Sequence, residues 1–340
     1  MGLHPAVAAV RRPVRAALGE LPERPAPGPR PGTNVVVACS GGADSLALLS
    51  AAVFEGHKLG LRIVGATVDH GLQEGSDVHA QHVVQQMAAL GVDETVGVRV
   101  KVEGGGLGPE AAARQARYAV LDQVAERVDA PVVLLGHTRD DQAETVLLGL
   151  TRGSGGRSLA GMRRGFDRYR RPLLDVSRTD TETACRVEGI EFWTDPHNSD
   201  FSYTRARIRH RVMPLLEEDL GPGVAATLAR TADQLREDME FLDDVASSTY
   251  HRLTGAYGAA TLPVAELASL PSAVRRRVLR LAALAAGCPA AELFREHVLA
   301  LDALVTAWRG QRWIDLPGHR RARRRDQMIH LEAAPTGPHG

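Results

Sequence analysis

The hydrophobic pattern between residues 34 and 150 alternates between short, continuous apolar runs and longer stretches with helical periodicity. Four apolar runs are the predicted strands: 35–39, 61–68, 96–102 and 131–135. The helical stretches follow them: from the first strand to about residue 55, then 78–90, 110–128 and 140–150. Continuous apolar runs are typical of parallel strands that are covered by helices on both faces. The pattern therefore predicts a doubly wound α/β fold with a mostly parallel sheet.

The rest of the chain lacks this alternation. Residues 1–20 have the spacing of a short helix, and the five prolines within 22–32 are typical of a linker. After residue 150 we expect a loop rich in Gly and Arg over 151–165 and a helix over 180–188. A last strand over 190–193 and a polar loop over 194–203 should follow. Helical spacing then runs from about residue 214 to about residue 307, and a terminal hairpin follows with strands over 312–316 and 327–331.

A length of 340 residues suits one large domain and a smaller one. We expect four segments: an N-terminal extension and linker (1–32), the α/β domain (33–215), a smaller, mainly helical domain that ends in the hairpin (216–334), and a disordered tail (335–340).

The formal net charge is zero, but the basic residues are unevenly distributed. Eight arginines lie between residues 152 and 178 against two acidic residues, four more lie over 205–211, and five lie over 320–325. Codon bias in a GC-rich genome would explain the preference for arginine over lysine, but it would not explain the clusters. Clustered arginine on a neutral chain indicates a phosphate-rich partner.

The composition disfavours several classes of protein. No apolar run approaches the roughly 20 residues of a membrane span. Arg11, Arg12 and Arg15 interrupt what would be the apolar part of a secretory signal. The three cysteines form no C-x-x-C pair, which disfavours a zinc finger, an iron–sulfur site and a disulfide framework. We therefore expect a cytoplasmic protein without a membrane partner.

Six residues join the first predicted strand to the first predicted helix: Ser40, Gly41, Gly42, Ala43, Asp44 and Ser45. Ligands of open parallel sheets bind beyond the carboxyl ends of the strands. Paired glycines let the backbone approach an oxyanion, and the amides of a helix N-terminus favour negative charge. The hydroxyls of Ser40 and Ser45 add donors, and Asp44 can hold an Mg²⁺ ion that bridges phosphates. The segment therefore predicts a phosphate-binding loop, with an ordinary Gly-Ser turn as the alternative.

This loop lacks the lysine of a Walker loop and the G-x-G-x-x-G pattern of dinucleotide-binding proteins. Its Ser-Gly-Gly-x-Asp-Ser pattern instead resembles the PP-loop of the N-type ATP pyrophosphatases, which cleave ATP between the α and β phosphates.

Further polar motifs follow the second and fourth predicted strands and lie on the helix over 110–128. They contain these residues: Asp69 and His70; Gly136, His137, Asp140, Asp141 and Glu144; Arg114 and Arg117. With the segments 152–155, 171–174, 195–200 and 205–209, they resemble the tRNA(Ile)-lysidine synthetase family over about residues 34–216. The helical tail and hairpin are similar to that family in general shape only. Thr138 stands where many members have a second histidine, and we expect this chain to lack the additional C-terminal domain of longer members.

The resemblance implies a reaction of ATP, L-lysine and an isoleucine tRNA with a CAU anticodon. The O2 atom of cytidine 34 attacks the α-phosphate, which releases pyrophosphate and leaves an adenylated base. The lysine side-chain amine then attacks C2 and expels AMP, so that the product, lysidine, pairs with A. Relatives commonly form dimers, which leaves a homodimer open.

The incoming lysine is an ammonium ion with a reference pKa of about 10.4, and it must lose a proton before it attacks. A carboxylate cluster can attract it and accept the proton, which suits Asp140, Asp141 and Glu144 on one helix. We assign catalysis to Asp44, Asp141, Glu144 and Arg114. We assign ATP binding to residues 40–45, Asp69, His70, Gly136 and His137, and tRNA binding to Arg152, Arg157, Arg163, Arg164, Arg205 and Arg209.

Each assignment has an alternative. Asp140 and Asp141 also favour a helix N-terminus, and His137, Asp141 and Glu144 have a spacing that could bind zinc. Asp69 and His70 could contact adenosine or only order the end of the strand. Arg114 and Arg117 could form a solvated helix face, Arg205 could form a surface ion pair, and the basic strand over 320–325 could grip the acceptor arm or simply be solvated.

Three other functions are compatible with a PP-loop protein or its arginines. A tRNA sulfur-transferase would need paired cysteines or a cluster, and an amide or guanine synthetase would need a nitrogen source such as an N-terminal cysteine nucleophile; neither feature is present. A silent tRNA-binding module would not need Asp44, Asp141 and Glu144.

Overall fold

The computed structural model of the chain describes residues 2–21, 32–69, 71, 75–100, 109–152, 156–194, 200–258 and 260–334. The chain divides into two compact units, Met1–Leu235 and Arg236–Gly340. Most of the predicted linker (22–31) and the predicted tail (335–340) lie outside the described residues. The domain boundary expected between residues 215 and 216 stays a prediction.

The first unit contains a six-stranded sheet with the order β3-β2-β1-β4-β6-β5. Its strands are β1 (Asn34–Ala38), β2 (Arg62–Asp69), β3 (Glu94–Arg99), β4 (Val132–Leu135), β5 (Gly165–Phe166) and β6 (Tyr169–Arg170). Strands β1 to β4 and β6 are parallel, and β5 alone is antiparallel. This confirms the predicted doubly wound, mostly parallel sheet.

Helices cover both faces of this sheet. They are α1 (Pro5–Gly19), α2 (Ala43–Lys58), α3 (Ser76–Ala89), α4 (Pro109–Arg127), α5 (Arg139–Arg152), α6 (Gly156–Leu159) and α7 (Arg178–Val187). Val35 and Val37 of β1 pack into one core cluster with α1, α2 and α7, whereas Val36 packs into a second cluster with α4. Because alternate residues of a strand point to opposite faces, this strand must be apolar throughout.

The structure of the first unit differs from the sequence-based expectations in three places. Residues 190–193 do not form the expected last strand. The hairpin of β5 and β6 was not predicted, since two-residue strands are too short to show periodicity. The helix expected over 180–188 begins two residues earlier, where the Ser177 side chain caps α7 by accepting a hydrogen bond from the Asp180 amide.

After the sheet come α8 (Thr204–Arg207), a π-helical turn (Ile208–Val212), α9 (Met213–Asp219) and α10 (Val224–Tyr257). The second unit adds β7 (Thr261–Pro263), α11 (Val264–Ser269), α12 (Ser272–Ala285), α13 (Arg295–Thr306), β8 (Ile314–Leu316), β9 (Arg320–Arg325) and β10 (Met328–Ala333). Its antiparallel sheet has the order β7-β10-β9-β8. The structure has antiparallel hairpins at this end of the chain, but the two strands expected to pair, over 312–316 and 327–331, each pair with β9, which lies between them, and not with each other. Strand β7 interrupts the region expected to be helical. None of the helices in the described ranges is both long and apolar enough to cross a membrane.

Candidate active site

The phosphate loop, residues 40–45, connects the carboxyl end of β1 to α2. Gly41 has a φ of +82°, and a Cβ atom there would lie 2.6 Å from Cγ2 of Val83, so a side chain would not fit. The Ser45 hydroxyl accepts a hydrogen bond from the Ser40 amide at 3.1 Å and donates one to the Gly42 carbonyl at 2.9 Å. Gly42 is the N-cap of α2, so the first amides of that helix are available to an anion.

His79 and Trp193 contact the backbone of the phosphate loop. The His79 Nε2 atom lies 3.1 Å from the Ser40 carbonyl oxygen, and the Trp193 amide donates to the Gly41 carbonyl at 3.0 Å. The two rings contact each other with centroids 4.0 Å apart and planes inclined by 37°. Neither residue could be identified from the sequence, because each lies outside the motifs and contacts the loop through one backbone carbonyl.

Residues at the carboxyl end of β4 lie against the phosphate loop. A Cβ atom at Gly136 would lie 3.0 Å from the Asp44 carbonyl oxygen and 3.1 Å from Ser45 Cα. His137 accepts a hydrogen bond on Nδ1 from Arg171 Nε at 3.3 Å. Burial lowers the pKa of His137 to about 4, helped by the neighbouring Arg171, although Asp141 opposes the shift. The imidazole is therefore neutral at pH 7.

Asp69, which was predicted to bind ATP, lies at the carboxyl end of β2. The Asp69 carboxylate is buried and accepts a hydrogen bond from the Gly71 amide at 2.8 Å, and Arg99 Nε lies 3.4 Å from it. These contacts order the strand end, which was one of the two alternatives for Asp69. His70 lies outside the described residues.

The predicted carboxylates converge on one arginine at the start of α7. The Arg178 guanidinium lies 2.9 Å from Asp141 Oδ1, 3.4 Å from Glu144 Oε1 and 3.6 Å from Asp44 Oδ2. The Arg178 backbone amide donates to Asp140 Oδ2 at 2.8 Å. The structure thereby links the phosphate loop to the acidic residues of α5. We name Asp44, Asp141 and Glu144 the carboxylate cluster.

Two more arginines reach the carboxylate cluster from α8 and the π-helical turn. Arg205 Nε donates to Glu144 Oε2 at 3.0 Å, and Arg209 donates to Glu144 Oε1 at 2.7 Å and to Asp141 Oδ1 at 3.2 Å. The Glu144 side chain is only 2 % exposed, so these are buried ion pairs, which need such partners to offset the loss of hydration. Arg205 and Arg209, predicted to bind tRNA, thus lie in the site itself.

Burial and charge act differently on the two aspartates of the cluster. Burial raises the pKa of Asp44 to about 6, and the charge of Asp141 adds to the effect, although Arg178 and a hydrogen bond from the Thr181 hydroxyl oppose it. Burial also acts to raise the pKa of Asp141, but Arg178 and the Thr138 amide outweigh it and keep that pKa below its usual value. Asp141 is therefore ionised at pH 7 and is a weak proton acceptor.

Arg114 contacts the site indirectly. Its side chain is exposed, its Nη2 atom lies 3.4 Å from the Tyr118 hydroxyl, and Arg171 donates to the same hydroxyl at 3.1 Å. Arg171 is buried and also contacts His137, so a chain of polar contacts runs from Arg114 to the end of β4. Arg117 has an exposed side chain on the same helix.

The other arginines predicted to bind tRNA differ in their surroundings. Arg157 and Arg163 are exposed. Arg164 is also exposed, but it pairs with Asp175 at 2.6 Å and with Asp233 at 2.7 Å. The side chain of Arg152 lies outside the described part of the structure.

Sequence reasoning missed Arg178, although a signal was available. It is the first residue of α7, where the helix dipole disfavours a cation. An arginine at that position needs carboxylate partners, and Asp44, Asp141 and Glu144 supply them. Thr181 and Arg171 were missed as well, since each acts by supporting another site residue.

The zinc site that was considered as an alternative lacks support. Within the described ranges, no three His, Cys, Asp or Glu side chains are arranged to hold a metal ion. The acidic residues of α5 are instead neutralised by guanidinium groups. All three cysteines are free and buried, and burial raises the pKa of Cys185 to about 12.

Comparisons with known proteins agree with this site. Residues 15–216 match the PP-loop domain family, and residues 262–330 match the TilS substrate binding domain. The tRNA(Ile)-lysidine synthase of Thermobifida fusca is 53 % identical, with 98 % of this chain and 99 % of the relative covered. The enzyme of the same name from Streptomyces coelicolor is 51 % identical over 95 % of this chain and 97 % of the relative.

A solved structure, the U34-tRNA thiolase NcsA from Methanococcus maripaludis with its [4Fe-4S] cluster, is similar with a TM-score of 0.56. It covers 68 % of this chain and 80 % of its own, at 17 % identity, which supports the fold alone. The two domain matches and the relatives at about half identity over nearly the whole length assign the family: this chain belongs to the tRNA(Ile)-lysidine synthases, which are built on a PP-loop domain.

Proposed function

We propose that this chain joins L-lysine to C2 of cytidine 34 in an isoleucine tRNA with a CAU anticodon, at the expense of ATP. The observation that carries the proposal is the position of a phosphate loop directly beside a buried carboxylate cluster, with Arg178 in contact with both. An anion site next to a cation site suits a reaction in which a phosphoryl compound meets an ammonium ion. The family's name supplies the identity of the two substrates that the geometry leaves open.

In the first step, the O2 atom of cytidine attacks the α-phosphorus of ATP, an O–P bond forms, and the bond to pyrophosphate breaks. The amides at the start of α2 hold the pyrophosphate, and the serine hydroxyls keep the loop in shape. Catalysis here depends on positioning and on charge stabilisation. Arg114 and Arg171 place positive charge at the end of β4, where the developing negative charge can be stabilised.

Asp44 is the residue that would hold a magnesium ion at the phosphate loop. Mg²⁺ in such sites is commonly bound by one or two carboxylates together with substrate phosphates rather than by a complete protein cage. Asp44 offers a carboxylate at the phosphate loop, and no protein cage occurs in the described residues. When bound, the ion would neutralise phosphate charge. Arg178 and Thr181 orient the Asp44 carboxylate for that role.

In the second step, the lysine ammonium ion loses a proton to a carboxylate of α5, and the free amine attacks C2. The C–N bond forms and the C2–O bond breaks, so AMP leaves with the oxygen atom. We assign the ammonium group of the incoming lysine to Asp141 and Glu144, with Asp140 nearby. Both carboxylates already accept hydrogen bonds from guanidinium groups, so the ammonium ion must share or replace contacts of Arg178, Arg205 or Arg209. Lysine binding is therefore coupled to a movement of these arginines.

Sulfur transfer, the function nearest to this one, has no support from the cysteines. Sulfur chemistry requires a thiolate, and burial holds the pKa of Cys39 and Cys185 above the usual range. A tRNA substrate and ATP also favour a cytoplasmic location. A homodimer stays a prediction.

The deciding experiment incubates the chain with ATP, labelled lysine and a transcript of isoleucine tRNA with a CAU anticodon. We expect label in the tRNA together with equal amounts of AMP and pyrophosphate. A transcript with U in place of cytidine 34 is the matched control and should remain unlabelled. Activity on another substrate without lysine incorporation would refute the proposal.

The variant Asp44→Ala tests the role of the phosphate loop separately. We expect pyrophosphate release to be lost while tRNA binding is retained, because Asp44 acts on the phosphates. Pyrophosphate release at the wild-type rate would remove the proposed role of Asp44.

A further inference from the structure

The segment that carries Arg205 and Arg209 into the carboxylate cluster also exposes an aromatic and basic surface. We name this surface the Phe201 platform; it consists of Phe201, His210 and Arg211. Phe201 is 40 % exposed, and both His210 and Arg211 are exposed. The surface and the two site arginines belong to one stretch of 11 residues, 201–211, so whatever contacts the platform lies next to the site.

The platform has a defined geometry. The Arg211 guanidinium carbon lies 4.0 Å from the centre of the Phe201 ring, and the His210 ring meets Phe201 edge to face with centroids 6.4 Å apart. Arg207 fixes the turn beside it by donating to the Phe201 carbonyl at 2.6 Å and to the Ser202 carbonyl at 2.9 Å. The π-helical turn Ile208–Val212 carries His210 and Arg211, and such turns are frequent at functional sites.

No ion pair compensates the charge of the platform among the residues that the structure describes. Within the described ranges, neither Arg207 nor Arg211 forms an ion pair with a carboxylate; Arg207 donates to neutral oxygens, and Arg211 packs on a ring. By contrast, Arg205 and Arg209 on the same segment are paired with Glu144. The platform therefore presents a flat aromatic face and positive charge to solvent, close to where the paired arginines enter the site.

We infer that the Phe201 platform binds an unpaired nucleobase of the RNA substrate, the neighbour of the nucleotide that enters the site. Proteins recognise single-stranded RNA by stacking its bases on aromatic rings and guanidinium planes. A ring and a guanidinium group that are already in contact supply both surfaces, and the positive charge suits the flanking phosphates. The inference rests on the proposed function, since it requires a tRNA loop as the substrate.

The test compares three variants by their KM for tRNA, ATP and lysine. Phe201→Leu keeps an apolar side chain but removes the aromatic face, and Phe201→Trp retains that face. Phe54→Leu is the matched control, because Phe54 is 39 % exposed and lies between Arg11 and Lys58 at 3.6 and 3.8 Å, near the far end of α2 from the phosphate loop.

We expect Phe201→Leu to raise the KM for tRNA about fivefold or more, as the loss of one stacked base would. The KM values for ATP and lysine should stay within about twofold. Phe201→Trp and Phe54→Leu should behave like the wild type. A tRNA in which 2-aminopurine replaces the base on the 3′ side of cytidine 34 provides a direct readout, because its fluorescence should fall on binding to the wild type and not on binding to Phe201→Leu.

The inference is wrong if Phe201→Leu binds tRNA as the wild type does, or if 2-aminopurine is quenched equally by both proteins. It is also wrong if Phe54→Leu shows the same loss. A wild-type protein that incorporates no lysine would refute the proposed function instead, and the 2-aminopurine titration would then still decide whether the platform stacks a base.

Discussion

At the scale of single residues, Asp44 and His137 have pKa values shifted in opposite directions across nearly the same pH range. Burial disfavours the charged form of each group, so the pKa of Asp44 rises to about 6 and that of His137 falls to about 4. Each shift corresponds to about 3 kcal/mol. Between about pH 4 and 6, Asp44 is therefore protonated in the folded protein and ionised in the unfolded chain. Over the same range, His137 is neutral in the folded protein and protonated in the unfolded chain.

These two effects should nearly cancel in the stability of the wild type. Between about pH 4 and 6, Asp44 makes folding less favourable as the pH rises, because the folded state binds more protons there. His137 makes folding more favourable over about the same range, because the unfolded state binds more protons.

Two single variants can separate these effects. Between pH 7 and pH 4.5, Asp44→Asn should lose about 2 kcal/mol more stability than the wild type, since only the loss from His137 remains. His137→Asn should lose about 2 kcal/mol less than the wild type. Urea unfolding at several pH values measures both, and each variant is the control for the other. Parallel pH profiles for all three proteins would contradict the shifted pKa values.

At the scale of secondary-structure elements, the sequence predicted those parts whose pattern is set by burial on both faces. Strands β1 to β4 and the helices between them follow from their apolar runs and helical spacing. The segment 190–193 has an apolar composition similar to a strand, yet the Trp193 amide donates to the Gly41 carbonyl in the phosphate loop instead of to a sheet. The conformation of residues 190–193 thus depends on a contact with a distant segment, which a local sequence pattern cannot predict.

The junction of β4 and α2 depends on a glycine. A Cβ atom at Gly136 would come within 3.1 Å of three backbone atoms of Asp44 and Ser45, which cannot move aside as a side chain could. Gly136→Ala should therefore displace the start of α2, cost about 1–3 kcal/mol of stability and raise the KM for ATP. Urea unfolding and initial rates at varied ATP concentration measure the two effects.

The control for this change is Gly255→Ala in α10. Apart from the surrounding backbone of its own helix, no described atom lies within 4 Å of a Cβ built there, and alanine favours a helix over glycine by up to about 1 kcal/mol. This variant should be as stable as the wild type or more so, with an unchanged KM for ATP. If Gly136→Ala behaved in the same way, the close approach of β4 to α2 would have no functional role.

At the scale of the whole molecule, the arginine clusters have more than one role. Charge counting predicted a phosphate-rich partner, but Arg164, Arg178, Arg205 and Arg209 all pair with carboxylates of this chain. Sequence position could not reveal these partners, since they lie 11 to 69 residues away. The phosphate loop and the acidic residues of α5 were found because each forms a local motif. Arg178 depends instead on partners that are distant in the sequence, and the Phe201 platform depends on how the segment 201–211 folds.

The arginines of the basic strand β9 lie on its two opposite faces. Those on one face contact the rest of the second unit, and those on the other face point outward. Arg320 packs on Gly287, and Arg324 donates to the Leu304 carbonyl at 3.0 Å near the end of α13. Because side chains alternate along a strand, Arg321, Arg323 and Arg325 lie on the opposite face. Arg321 and Arg323 lie 4.7 and 5.7 Å from the ring centre of Trp313. This outward face carries three of the five arginines of β9, and β9 falls within the matched substrate binding domain.

A pair of matched variants tests whether the outward face binds tRNA or is only solvated. Arg323 pairs with Glu332 at 2.8 Å and Arg252 pairs with Glu266 at 2.7 Å, so Arg323→Gln and Arg252→Gln each remove one charge and free one carboxylate. If Arg323 contacts a phosphate, its loss should make the slope of log affinity against log salt shallower by about 0.7–0.9. Arg252 lies outside the matched domain, so its replacement should leave the slope unchanged. Filter binding at several salt concentrations measures both slopes, and equal slopes for the two variants would mean that β9 is a solvated strand whose arginines serve the fold alone.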